Sequence, residues 1–268
     1  MEDTPMELAT AGLNRRTDAW AWRLFATGAS FVLFGLGGLL LRLLILPALA
    51  CLPGDAAAHR RRARAAISRA FRLHVWFMHR SRALDFRIDG VERLGRPGQM
   101  IVANHPSLID VVFLIGHIRD ANCVVKDGLF GNPCTSGPVR AAQYISNDGS
   151  MTMLERAADV LREGQCLVVF PEGTRTRPGK PPVFHRGASA IALRGARTIT
   201  PVYITVEPTT LTKAEPWYRI PDRRVQVCLR VGRDIDPAAF NADAPLPIAS
   251  RRLNDHLHQL FLRELTTS

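Results

Sequence analysis

The chain is poor in lysine and in acid, and its cysteines are few and scattered. Of 35 basic residues only Lys126, Lys180 and Lys213 are lysine. The others are arginine, which grips phosphate and carboxylate through parallel N–H bonds. Acids number 24, leaving a formal net charge of +11 over 268 residues. That shortage of acid points to a polyanionic partner, either nucleic acid or an anionic membrane surface. No helix-turn-helix, RNP or zinc-finger pattern accompanies the charge, so nucleic acid is not the expected partner. The five cysteines, Cys51, Cys123, Cys134, Cys166 and Cys228, are odd in number and contain no Cys-x-x-Cys. This argues against a disulfide framework and against a zinc ribbon, and a reducing compartment is the simplest setting. Internal repeats and low-complexity segments are also missing.

What the chain does have is one long apolar run. Leu24 to Leu41, "LFATGASFVLFGLGGLLL", carries no charge, and "LLILPALACL" resumes after Arg42. The length suits a membrane-spanning helix. Glycines, Pro47 and Pro53 interrupt the stretch, which leaves a re-entrant or interfacial hairpin open. A cleaved signal peptide is the third reading, against which stand the late start and the lack of a clean small-x-small site. The following segment, "HRRRARAAISRAFRLHVWFMHRSR", is rich in arginine and has no acid. Such flanks stay on the cytoplasmic side, which places the remaining domain on the cytoplasmic face of the inner membrane. Ile67, Phe71, Val75 and Met78 can share one helical face, so this stretch reads either as an interfacial helix on anionic lipid or as a core-packed helix with a solvated basic face. The expected division is a tail at 1–23, a membrane-embedded segment at 24–52, a basic amphipathic helix at 53–83 and a catalytic domain at 84–268.

From Leu84 onward short apolar strands alternate with helices. "LDFRIDG", "QMIVAN", "NCVVK", "QCLVVF", "TITPVYITV" and "VQVCLRVG" read as strands. "DVVFLIGHI", "TMLERAADVLREG" and "RGASAIALRGA" read as helices, the second with a capping box from Thr152 to Glu155 and Gly164 at its end. Leu253, Leu257, Leu260 and Phe261 form the apolar stripe of a terminal helix. The Pro-rich stretch from Pro178 to Pro182 reads as a surface loop. The alternation predicts an α/β sandwich around a central, mostly buried sheet.

Two motifs follow two apolar strands. In "IVANHPSLID", Pro106 ends the strand and a helix is expected near Ser107. His105 and Asp110 would stand well apart on one continuous helix, but converge across a strand-to-helix turn. Asp110 then accepts from one imidazole nitrogen and leaves the other free to take a proton. This is the base-and-orienter arrangement of serine hydrolases without the serine, and a substrate hydroxyl can supply the missing nucleophile. Alone, the spacing fits a helix N-terminal turn equally. In "VVFPEGTRT", Pro171 and Gly173 shape a tight loop, Glu172 can bond hydroxyls and Arg175 can hold an anion. Metal binding is not expected: His256 and His258 stand two apart on different helix faces.

The two motifs in this order resemble the glycerolipid acyltransferases of the lysophosphatidic-acid acyltransferase (PlsC-like) type. "NHPSLID" looks like that family's first block, "FPEGTRT" like its third and "TPVYI" like its fourth. "VVKDGLFGNPCTSGPVRAAQYISND" resembles the intervening lysine stretch and second block, and "FHRGASAIAL" the basic segment after the third. The resemblance runs from about Leu84 to Val231 and implies a glycerol-3-phosphate acyltransferase-like fold. It implies acyl transfer from acyl-CoA or acyl-carrier protein to a lysophospholipid hydroxyl, with 1-acylglycerol-3-phosphate giving phosphatidic acid. No cofactor is implied. His105 would be the base and Asp110 its orienter. Glu172, Gly173, Thr174 and Arg175, with Lys126 and Arg186, would bind the acceptor, and Pro201 and Val202 would lie in the acyl-binding region. Amides near Gly173 are candidates for the oxyanion. One departure stands out: the second block commonly ends in arginine, and here Asn147 and Asp148 take its place. That keeps a specialised acceptor, such as a lyso-aminolipid, in view. A non-catalytic membrane scaffold is the reading from another class.

Overall fold

The computed structural model describes residues 19–266 except 178, 242 and 243, so residues 1–18 of the tail lie outside the described residues. The strands are β1 (Leu84–Asp89), β2 (Gln99–Ala103), β3 (Ala121–Lys126), β4 (Ile145–Asn147), β5 (Cys166–Val169), β6 (Thr198–Glu207) and β7 (Val225–Val231). They form one sheet in the order β1-β7-β6-β2-β5-β3-β4. Neighbours run parallel except β6 and β7, which are antiparallel. The central strand β2 is buried along its whole length. Its side chains alternate between two cores, Ile101 and Ala103 in one and Met100 and Val102 in the other. A strand covered on both faces reads as an unbroken apolar run, which is why "QMIVA" shows no polar alternation.

Helices cover both faces. On one side lie α1 (Trp20–Ala50), α2 (Ala56–Arg80), α3 (Asp110–His117) and α4 (Ser136–Ala141). On the other lie α5 (Met151–Arg162), α6 (Arg186–Gly195) and α7 (Leu246–Thr266). Leu253, Leu257 and Phe261 of α7 are fully buried, each contributing roughly 1.5–3 kcal/mol of apolar burial. The expected capping box is displaced: the cap of α5 is Ser150, whose hydroxyl accepts from Met153 N–H at 3.0 Å. Ser150 starts the helix two residues before Thr152 because Asp148 and Gly149 turn the chain there, with Gly149 at φ 73°. Gly164, at φ 81°, follows the helix end as expected. Close approach explains two helical glycines. A Cβ on Gly195 would lie 2.3 Å from the Ala158 carbonyl oxygen, and one on Gly116 would lie 3.2 Å from the Arg72 nitrogen.

The apolar run forms α1, with a five-residue π-helical turn at Leu41–Ile45. A tight turn closed by Asp55, which caps α2 by accepting from Ala58 N–H at 2.7 Å, folds α2 back along it. The apolar face of α2 enters the domain core at Ile67, Val75 and Met78. α1 is pinned to the domain along its length. Arg23, only 2% exposed, donates to the carbonyls of Pro221 and Arg223 at 3.0 and 3.1 Å and of Asp222 at 2.6 Å. Gly28 faces the Trp217 ring, and a Cβ on Gly38 would lie 2.2 Å from the Cys134 carbonyl oxygen. Arg42 donates to the Pro133 carbonyl at 2.9 Å. Arg23 and Arg42 are about 28 Å apart along the helix axis. Between them Phe25, Val32, Leu33 and Leu36 are exposed, so α1 lies along the flank of the domain with an apolar stripe turned outward.

Candidate active site

β2 stops where Pro106 removes a donor, and Asn104 replaces the lost rung. Its amide donates to the Ile204 carbonyl and accepts from Ile204 N–H, both at 2.8 Å. The chain then turns through His105 to Ile109, and α3 begins at Asp110, three residues later than Ser107. The later start puts the Asp110 carboxylate beneath the turn instead of on a helix face. Asp110 Oδ2 lies 2.8 Å from His105 Nδ1 and accepts from Ser107 N–H at 2.8 Å. Asp110 is wholly buried, and Oδ1 has no partner among the described residues. Burial pushes its carboxyl above the usual range, opposed by the His105 and Ser107 donors. The His105 side chain is 16% exposed, and its ring lies 4.5 Å from that of Phe170. Among the described residues nothing bonds its outward nitrogen, Nε2.

The second motif follows β5 at the same edge of the sheet. Gly173, at φ 62°, allows the tight turn, and its N–H donates to the Phe170 carbonyl at 3.0 Å. That amide is therefore committed to the turn and is not free for an oxyanion. Glu172 is 5% exposed and faces inward. Its Oε1 accepts from His105 N–H at 2.8 Å and from the Thr176 hydroxyl at 2.9 Å. Thr176 N–H in turn donates to the His105 carbonyl at 2.7 Å. Burial raises the Glu172 carboxyl, partly offset by these donors. The carboxylate expected to bond a ligand hydroxyl thus holds the backbone of His105.

Arg175 Nη1 donates to the carbonyls of Leu211 and Thr212 at 2.8 and 2.9 Å. The same loop accepts from Leu108 N–H at Leu211 and from the Ser107 hydroxyl at Thr210. Lys126 and Asn147 end β3 and β4 side by side. The Asn147 amide lies 3.8 Å, and the His185 ring 3.9 Å, from where a Cβ on Gly173 would stand. Thr174 and Arg186 are exposed beside this group, with His185 N–H bonded to the Pro171 carbonyl at 2.9 Å. Pro201 and Val202 are instead buried in the sheet. Pro201 pairs with Val102 and accepts from Gly232 N–H where β7 ends, so its missing donor costs one rung at a strand terminus. His185, Thr176, Asn104 and the loop at 210–212 were not singled out in the sequence. Thr176 sits inside "FPEGTRT", but nothing local marks the loop. No three His, Cys, Asp or Glu side chains converge to hold a metal among the described residues.

Comparison with known proteins places this geometry. The profile of the family described as Acyltransferase matches residues 85–205. The 1-acyl-sn-glycerol-3-phosphate acyltransferase of Pseudomonas aeruginosa is 24% identical over 137 residues, 49% of this chain and 53% of that protein. The protein of that name from Saccharomyces cerevisiae is 29% identical over 150 residues, 52% of this chain and 48% of its own. The chain thus spans about half the length of these curated relatives. The crystal structure of the 1-acyl-sn-glycerophosphate acyltransferase PlsC from Thermotoga maritima superposes with a TM-score of 0.68 at 19% identity, covering 90% of this chain and 97% of that one. Residues 85–205 thus match the Acyltransferase family model, and the fold of the chain is the one seen in PlsC.

Proposed function

We propose that the protein is a membrane-apposed O-acyltransferase that acylates the free hydroxyl of a lysophospholipid, with 1-acylglycerol-3-phosphate as acceptor and phosphatidic acid as product. The observation that carries this reading is the His105–Asp110 pair, with Nδ1 held at 2.8 Å and Nε2 left unengaged. Nε2 takes the proton of the acceptor hydroxyl. The oxygen attacks the thioester carbonyl of acyl-CoA or acyl-carrier protein, a C–O bond forms and the C–S bond breaks. The thiolate leaves and recovers the proton from His105. Asp110 keeps the proton-bearing nitrogen inward and balances the imidazolium. The Thr174 amide, which no described residue bonds, is offered to the developing oxyanion. Lys126, Arg186 and the remaining nitrogens of Arg175 attract the acceptor phosphate, and Glu172 positions His105.

The apolar stripe of α1 rests on the bilayer surface. A helix tied to one domain at both Arg23 and Arg42 fits interfacial attachment better than a span. The acceptor then reaches His105 from the membrane while the soluble donor arrives from the other side. Asn147, beside Gly173, carries no charge where the family pattern has arginine, and this favours a second reading in which the acceptor is another lysolipid.

The test offers purified protein lysophosphatidic acid and a panel of other lysolipids with each thioester donor, reading products by mass spectrometry. Phosphatidic acid from wild type and not from His105→Ala supports the main reading. Acylation confined to another lysolipid supports the second. A folded protein silent on every acceptor overturns both.

A further inference from the structure

Two cavities flank the first half of α2, away from His105. The larger, about 590 Å³, mixes Arg60, Arg140 and Arg156 with Asp159 and Glu163, so it presents no single sign to a ligand. The smaller, about 370 Å³, does. Arg61, Arg62 and Arg69 of α2 line it together with Arg119 from the turn between α3 and β3. The one acid there, Asp120, is already paired with the buried Arg64 at 3.2 Å. Arg62 is anchored to the hairpin turn through the carbonyls of Leu52 and Pro53. Among the described residues no hydrogen bond or salt bridge engages the guanidinium of Arg61, Arg69 or Arg119. A solvated basic helix face would be convex and spread. Here three arginines without a hydrogen-bonding or ion-pair partner among the described residues, from two separate elements, line one concavity, and guanidiniums gathered in this way can bind a phosphate through several charge-assisted bonds.

The floor of the cleft names the source of that phosphate. Leu49 of α1 lines it with Ala58 and Ala65. Leu43, Leu44 and Leu52 nearby are exposed, at 64%, 63% and 46%. A free phosphate has no use for that surface, whereas a phospholipid places its headgroup among arginines and its chains along leucines. α3 separates the two places: Asp110 begins it, and Arg119 lies just past its end, about 12 Å along the axis.

We propose that this cleft binds the phosphate of an anionic phospholipid that is not the substrate, and so sets how the protein sits on its membrane. The proposal shares with the proposed function only the apposition of α1 to a bilayer, which neutral vesicles test separately.

The experiment measures flotation of the full chain with phosphatidylcholine vesicles, with and without phosphatidylglycerol. It compares Arg69→Gln/Arg119→Gln with a charge-matched double at the far end of α2, Arg80→Gln/Arg82→Gln. At about 1 kcal/mol per base near an anionic surface, the cleft double is expected to lose ~30-fold in partition to anionic vesicles. The expected loss for the comparison double is at least fivefold smaller, with both binding neutral vesicles like wild type. Equal losses from the two doubles would reduce the effect to bulk charge and overturn the site. Wild-type binding by the cleft double would overturn it as well. In a third arm, inorganic phosphate at matched ionic strength is expected not to compete at millimolar concentration. Full competition there would assign the cleft to free phosphate and overturn the lipid.

Discussion

The side chain of Glu172 bonds the main chain of His105, with Oε1 2.8 Å from the His105 nitrogen across 67 positions of sequence. One motif therefore holds the other, and the His105 ring stands on a backbone fixed by hydrogen bonds at both its N–H and its carbonyl.

This relationship predicts a separation between Glu172→Gln and Glu172→Ala. Glutamine keeps an oxygen for both donors and removes a buried charge, so its kcat is expected within about tenfold of wild type; alanine leaves His105 N–H unpaired and loses more. The pH dependence has a definite sign. Burial raises the Glu172 carboxyl above its ordinary 4.5. A raised carboxyl contributes stability below its unfolded pKa and loses it as pH rises through the folded value. Wild type should therefore lose stability relative to Glu172→Gln as pH rises above the ordinary carboxylate value of 4.5, read from melts of both proteins. The opposite slope would show that the donors outweigh burial.

For the pair itself, His105→Ala should lower kcat by ~10²–10⁴-fold while leaving the thermal midpoint near wild type. Asp110→Asn should lower kcat at least ~10²-fold, because an amide no longer balances the imidazolium. Steady-state rates alongside melts check both. A His105→Ala protein with more than a tenth of wild-type kcat would remove His105 from the chemistry.

Arg175 clamps a loop before it meets any ligand. Its charge-assisted bonds to Leu211 and Thr212 are worth roughly 1.5–3 kcal/mol. Arg175→Ala is expected to lose stability on that scale and to raise KM together with lowering kcat. A higher KM at unchanged stability would show that the guanidinium serves the acceptor alone.

Two adjacent glycines in α1 give a matched pair. A Cβ on Gly37 meets nothing within 4 Å, whereas one on Gly38 would collide with the Cys134 carbonyl. Gly37→Ala is expected to stabilise by up to about 1 kcal/mol through helix propensity. Gly38→Ala should destabilise and raise the protease sensitivity of α1. Indistinguishable melts for the two variants would mean that α1 is not seated on the 133–136 segment.

β2, β5 and the His105 turn were legible because burial on both faces writes an apolar run and proline marks its end. The strand β7 was legible too, but its antiparallel direction was not, since "VQVCLRVG" pairs with β1 and β6 by tertiary arrangement and carries no sign of direction. The seating of α1 was equally hidden: hydropathy records that Gly28 and Gly38 interrupt an apolar helix, not that Trp217 and Cys134 fill the gaps. Glu172 looked like a ligand-binding carboxylate because motif spacing does not tell which way a side chain turns. Its inward bonds depend on β2 and β5 being neighbours in the sheet. The helix start at Asp110 escaped notice because Ser107, a good cap by composition, spends its hydroxyl on Thr210 instead.

The segment between β6 and β7 touches both ends of the molecule's work. Thr210 to Thr212 hold the His105 turn and Arg175, Trp217 lies against Gly28, and the carbonyls of 221–223 receive Arg23. Sliding or lifting α1 therefore tugs a strap whose other end is fastened to the His105 turn. On the proposed attachment, lateral pressure among the surrounding lipids becomes an input to turnover, and a detergent micelle that crowds α1 differently from a bilayer would retune the enzyme without touching a single reacting atom.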